Sequence, residues 1–125
     1  MFGETLKKLV IEETGEVLAD KIETADSFWS RFRGLMFRRD FAEGEGILFE
    51  LSEPREFGVH TFFLFFSIDL VYLDGDLEIL ETKEKLSPWS TYTPETPASY
   101  LLEIPAGTIE KKDITTGDKL EIIQE

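Results

Sequence analysis

The chain has 125 residues, 42% of them hydrophobic and 13% aromatic, with 26 acidic against 13 basic side chains, a formal charge of −13 and no cysteine. This length predicts a single domain, residues 1–125, with one ordinary core. Lack of cysteine excludes a disulfide framework, thiolate metal sites and a cysteine nucleophile, and the negative excess opposes general binding to nucleic-acid phosphates.

Met1 to Lys8 lacks the basic, apolar and small-residue run of a secretory signal. The longest apolar stretch, Val59 to Leu73, is interrupted by His60, Ser67 and Asp69 and is shorter than the roughly 20 residues that a membrane helix needs. The expectation is a soluble, cytoplasmic chain with no membrane partner.

In chain order, Lys7–Glu12 and Val17–Ile22 alternate around Gly15 as the two strands of a hairpin. Phe28, Trp29, Phe32 and Leu35 recur near helical spacing, with Asp26 or Ser27 as N-cap and Gly34 as terminator, which predicts a helix over Asp26–Arg33. After Gly44-Glu45-Gly46, Ile47–Leu51 reads as a strand. The aromatic segment Phe57–Leu73 is apolar enough to be the central, doubly covered part of a sheet, with a bend at Ser67. Asp74-Gly75-Asp76 is a tight turn into the alternating strand Leu77–Leu86. Ser87–Pro97, with three prolines, Trp89 and Tyr92, is an extended loop. Ser99–Ile104 is again a strand, Pro105-Ala106-Gly107 turns into a helical turn near Thr108–Lys112, and Lys119–Ile123 is the last strand. Six to eight short strands with one or two helical turns predict a β-dominated α+β domain, as a compact small barrel or two packed, mostly antiparallel sheets.

Few residues offer chemistry. His60 is the single histidine, so a Ser-His-Asp triad has to use it and a metal site has to rely on carboxylates. The carboxylates of Asp74, Asp76 and Glu78 lack the spacing of a calcium loop, so neither a metal nor a cofactor is expected. Asp69 lies among Ile68, Leu70 and Val71, where a carboxylate needs a partner; it serves as general base, ligand anchor or structural group at the Ser67 bend. Arg31, Arg33, Arg38 and Arg39 form a basic island, in which guanidinium forks match a small anion or pair with the surplus carboxylates. Trp89, Tyr92 and Tyr100 are candidate lining for a pocket beside the proline-rich loop.

Arg31-Phe32-Arg33-Gly34-Leu35-Met36-Phe37-Arg38, Gly46-Ile47-Leu48-Phe49, Ser67 to Asp74, Leu102 to Gly107 and Gly117-Asp118 follow one another in an order that resembles the DUF192 family of small prokaryotic proteins. The resemblance spans about Thr24 to Ile122. It implies a compact β-rich domain and carries no established activity. The family's arginine-glycine-leucine-methionine-arginine pattern falls on Arg31, Gly34, Leu35, Met36 and Arg38, and its glutamate-to-glycine motif on Glu103 to Gly107. Where many members carry tryptophan-methionine-lysine-asparagine-threonine, this chain reads His60-Thr61-Phe62-Phe63-Leu64.

Arg31, Asp69 and Glu103 are charged groups within apolar motifs, and are expected to meet as a buried ion-pair network or around one pocket. The leading expectation is a binding or accessory module for a small polar or anionic ligand, its pocket lined by Arg31, Arg38, His60, Asp69, Trp89, Tyr92 and Glu103. The alternatives are a hydrolase or isomerase with Asp69 or Glu103 as base and Arg31 as clamp, and a protein-interaction module, monomeric or homodimeric, with Phe65, Phe66 or Trp89 exposed.

Overall fold

The structure is a computed structural model that describes residues 7–25, 35 and 38–124. The helix expected over 26–33, and Arg31 with it, lies outside the described residues. Those residues form nine strands and one short helix: β1 (Lys7–Ile11), β2 (Val17–Ala25), β3 (Glu45–Arg55), β4 (Val59–His60), β5 (Ile68–Leu73), β6 (Ile79–Leu86), β7 (Thr91–Tyr92), β8 (Ala98–Pro105), α1 (Thr108–Lys112) and β9 (Leu120–Gln124).

Seven strands make one sheet in the order β6-β5-β8-β3-β2-β1-β9, and β4 with β7 makes a small second one. Every pairing is antiparallel except β2 with β3. The large sheet curls until its outer strands touch at one bridge, Glu78 with Lys119, where the Ile79 amide donates to the Asp118 carbonyl at 2.8 Å and the Leu120 amide to the Leu77 carbonyl at 2.9 Å. The contact protects both edges locally but stops short of a closed barrel. The β-dominated α+β architecture is therefore as the strand count implies, in its open form.

β5 is buried along its whole length and alternates between two cores. Ile68, Leu70 and Tyr72 pack with Ile47, Phe49 and Leu101, while Val71 and Leu73 pack with Leu48, Leu102, Ile104 and, from α1, Ile109. Burying each such aliphatic side chain contributes about 1.5–3 kcal/mol, so this central strand anchors both layers.

Only the last six residues of the aromatic segment 57–73, Ile68–Leu73, are central strand. Residues 57–67 form β4 and a set of exposed turns, in which Phe62 is 39% and Phe65 63% accessible. Apolar density marks surface to be buried but not whether the chain's own core has room for it; here β6 and β8 flank β5 on both edges and core side chains pack on both of its faces. Ser87–Pro97 is a loop as expected, with β7 inside it.

Candidate functional site

Asp69 is fully buried on β5, paired with Ile104 and therefore on the face that meets α1. Its Oδ1 accepts from the Lys85 amide at 2.8 Å, and its Oδ2 from the amides of Gly107 at 3.1 Å and Ile109 at 2.9 Å. Lys85 is the extra residue of a bulge in β6, at φ 53°, where its amide leaves the ladder. Gly107, at φ 94°, turns the chain into α1 and leaves the first amides of the helix without internal acceptors. One carboxylate thus holds a bulge and a helix start together. Both of its oxygens are taken by these amides, and the cluster sits beside the bend expected at Ser67, because Ile68 pairs with Leu86, next to Lys85, and with Pro105, two residues before Gly107.

Glu103 is also buried, but it pairs with Leu70 and faces the other core. Asp69 and Glu103 therefore project to opposite faces of the sheet and do not line one pocket. Arg38 reaches Glu45, with Nη2 3.3 Å from Oε1, and its guanidinium carbon lies 5.8 Å from the centre of the Phe41 ring. Glu45 Oε1 also accepts from the Ala42 amide at 2.7 Å, so the pair closes the turn leading into β3.

His60, Trp89 and Tyr92 do come together, at the end of the molecule built by β4 and β7. His60 pairs with Thr91 and Val59 with Tyr92. Between them Thr61 is a buried peg. Its hydroxyl donates to the Ser87 carbonyl at 2.6 Å and accepts from the Ser90 amide at 2.8 Å, while its backbone amide donates to the Ser90 carbonyl and its carbonyl accepts from the Trp89 amide. These bonds fasten the turns at 61–66 to those at 87–90.

Above the peg stands an aromatic crest. Phe62 stacks on Trp89 with centroids 5.8 Å apart, Phe63 meets Trp89 edge-on at 4.8 Å, and His60 lies 4.8 Å from Phe62. Phe62, Phe63, Phe65 and Trp89 are 39, 41, 63 and 61% accessible. Phe63 and Trp89 both hold left-handed backbone, at φ 67° and 60°, a conformation that costs a bulky residue about 1–3 kcal/mol. Phe66 instead packs toward the core, 5.7 Å from Phe41.

Beneath the crest, Tyr92 donates its hydroxyl to Glu81, whose Oε1 also accepts the Glu95 amide at 3.0 Å and the Thr96 amide at 3.2 Å. Desolvation first, and then this bond to a carboxylate, push the Tyr92 phenol up to about 12. Glu81 thereby staples the proline-rich loop to β6.

A separate cleft of about 300 Å³ opens beside α1, lined by Leu18, Glu43, Pro105, Thr108, Lys111 and Lys112. Lys111 pairs with Glu43, holding that carboxyl below its ordinary range, and Lys112 lies 3.5 Å from Glu16. Among the described residues, none of those expected from sequence to line a pocket borders this cleft.

Sequence reasoning had no hold on Thr61 as a buried peg or on Phe62 and Phe63 as surface residues. The available signal was electrostatic: residues 57–68 and 86–94 carry no Asp, Glu, Lys or Arg in a chain that is 31% charged. These two neutral stretches are the ones Thr61 joins.

The family model DUF192, described as uncharacterized, matches residues 9–122. The chain belongs to the DUF192 family. Relatives of this DUF192 chain include a UPF0127 protein of Thermococcus sibiricus, 34% identical over 115 residues that cover 90% of this chain and 73% of the relative. Another, from Pyrococcus furiosus, is 36% identical and covers 86% of this chain and 90% of its own. A crystal structure from Sinorhizobium meliloti, provisionally assigned to transcription regulation, matches with a TM-score of 0.83 and 28% identity over 96% of this chain and 94% of that one. A Novosphingobium aromaticivorans protein of unknown function matches with a TM-score of 0.81 and 21% identity, over 93% and 83% of the two chains, and shares the fold. Among the described residues of the DUF192 domain, no helix is long and apolar enough to cross a membrane.

Proposed function

We propose that this DUF192 domain is a non-catalytic docking module that engages a polypeptide partner through the crest of Phe62, Phe63, Phe65 and Trp89. The carrying observation is the exposure of four large aromatics on two turns that Thr61 fastens together. Their accessible fractions amount to about two whole aromatic side chains, roughly 400 Å² at about 200 Å² each. A patch of that size lies within the roughly 300–600 Å² of the largest patch on a typical monomer, which is often functional; it is about half of one side of a standard interface, near 800 Å². It suits the apolar centre of a contact whose rim is polar.

The net charge supports a heterologous partner. Copies carrying −13 each repel one another, and so does an anionic lipid surface. Catalysis has little support, because the buried carboxylate of Asp69 is occupied by three amides.

The test is selection of a random displayed-peptide library on the folded chain, compared with a Phe62→Ser, Trp89→Ser double variant that melts like the parent. Selected peptides are expected to bind the variant at least about tenfold more weakly, as loss of a central aromatic pair implies. Equal binding to both would overturn the reading.

A second reading, a small anionic ligand, is favoured by the cleft beside α1, where Lys111 and Lys112 converge. There an anion has to displace Glu43 from Lys111. Calorimetric titration with inorganic phosphate tests it, and no heat above dilution refutes it.

A further inference from the structure

Resting on that docking reading, we infer that the crest's partner is a basic segment, one that lays an arginine or lysine on the exposed ring surface of Phe62 and Trp89 and is drawn there by the acidity of the rest of the chain.

The first ground is how this end of the molecule treats its other aromatic rings. Arg38 lies 5.8 Å from the centre of Phe41, Arg55 4.9 Å from that of Phe57, and Lys83 5.8 Å from that of Tyr92. Each ring offers the negative face of its quadrupole to a cation of the same chain. The stacked pair Phe62 and Trp89, flanked by His60 and Phe63, has the same chemistry and greater exposure, yet among the described residues no lysine or arginine lies over either ring. These are ring faces for a cation from elsewhere.

The second ground is charge. The surroundings carry the field of a −13 chain, while the crest itself is neutral across residues 57–68 and 86–94. A neutral contact surface lets a cation approach without exchanging one salt bridge for another. The acidic field raises the encounter rate with positive partners and lowers it with negative ones, and the rings set the lifetime of the complex. A partner that is apolar alone would gain nothing from the field, and an acidic one would be excluded by it.

The experiment titrates the folded full chain with a short synthetic peptide alternating leucine and arginine, and with versions carrying glutamine or glutamate in place of arginine. At low ionic strength the arginine peptide is expected to bind at least about tenfold tighter than the glutamine one, to lose that advantage as salt rises, and the glutamate peptide not to bind. Trp89→Leu keeps an apolar side chain and removes the ring face. It is expected to weaken the arginine peptide by about twofold to thirtyfold and to leave the glutamine peptide nearly unchanged. Equal affinity of the arginine and glutamine peptides, with both weakened by Phe62→Ser and Trp89→Ser, would overturn the basic-partner inference and leave the docking reading standing. An arginine peptide that binds the parent and every crest variant equally would overturn both, since the acidic surface alone would then be the site. Binding of the chain to zwitterionic vesicles in preference to all three peptides would also overturn the inference, by placing lipid on the crest.

Discussion

Replacing Asp69 by asparagine tests whether this carboxylate is the joint between sheet and helix. The side chain is fully buried and receives amides at 2.8, 2.9 and 3.1 Å. Asparagine has nearly the same shape but only one acceptor oxygen. In one orientation its NH₂ faces the amides of Gly107 and Ile109; in the other it faces that of Lys85. Either way at least one buried donor meets another donor and the remaining bonds lose their charge assistance. With bonds to a charged acceptor contributing about 1.5–3 kcal/mol each, and an orphaned buried donor costing about 1–3 kcal/mol, the expected loss is roughly 2–4 kcal/mol. That is a large share of the about 5–15 kcal/mol that holds a domain folded. Urea unfolding measures the loss, and amide hydrogen exchange locates it at Lys85, Gly107 and Ile109. Asp118→Asn is the control, because the Asp118 carboxylate accepts the Thr115 amide alone, at 2.9 Å in an exposed turn, and its replacement is expected to cost less than about 1 kcal/mol. A loss at Asp69 no greater than at Asp118, or unchanged protection of all three amides, would refute the assignment.

Thr61→Val keeps the volume of the peg and removes its hydroxyl, leaving the Ser90 amide without its 2.8 Å acceptor; a loss of about 1–3 kcal/mol is expected, with faster exchange of the Ser90 amide and weaker peptide binding although no crest ring is altered. Gly46→Ala places a Cβ 2.8 Å from Ile22 Cδ1 and 3.2 Å from Ile104 Cγ2, which is expected to lower stability by about 1–3 kcal/mol in the same urea assay. Tyr92, raised from 10.0 to about 12, holds its proton more tightly folded than unfolded. Its contribution to stability is therefore complete below the unfolded value and is lost as pH rises toward the folded one. In a spectrophotometric titration assigned with Tyr92→Phe, Glu81→Gln is expected to lower the Tyr92 midpoint without restoring the ordinary value, since desolvation remains; an unmoved midpoint contradicts the Glu81 contact.

What was legible in the sequence was local. Asp74-Gly75-Asp76 sets its own turn: Asp74 Oδ1 accepts the amides of Asp76 and Glu78 within four residues. Pro105-Ala106-Gly107 leads into a helical turn because glycine takes the left-handed position there, and Gly15 does the same in the first hairpin. Long-range closure was not legible. The amides that Asp69 receives come from 16, 38 and 40 residues away, and the carbonyls that Thr61 reaches from 26 and 29. No spacing rule encodes such partners, so Asp69 read equally as base or as structural group, and Thr61 did not stand out. The phenylalanines of 57–67 were misplaced for a related reason. Apolar density measures the wish to leave water, and which side chains succeed depends on strands that arrive later in the chain.

The polar groups of the interior are, in the cases that looked most reactive, already committed to architecture. Asp69 serves three amides, Glu81 serves Tyr92 and two more, and Arg38 closes a turn on Glu45. A fold that needed only stability would have no use for Phe63 and Trp89 where they are. Glycine would remove the left-handed strain at either position, and polar side chains would remove the exposed apolar area. The docking reading proposed above gives these costs a purpose, because a partner would cover the exposed rings. The crest keeps its aromatic groups in water at a cost to the isolated chain, and complex formation would recover that cost by covering them. The acidic surface restricts who may cover them. On the docking reading proposed above, Arg38 and the buried carboxylates, which dominate a first reading of the sequence, belong to the platform, and recognition would fall to the uncharged residues between them.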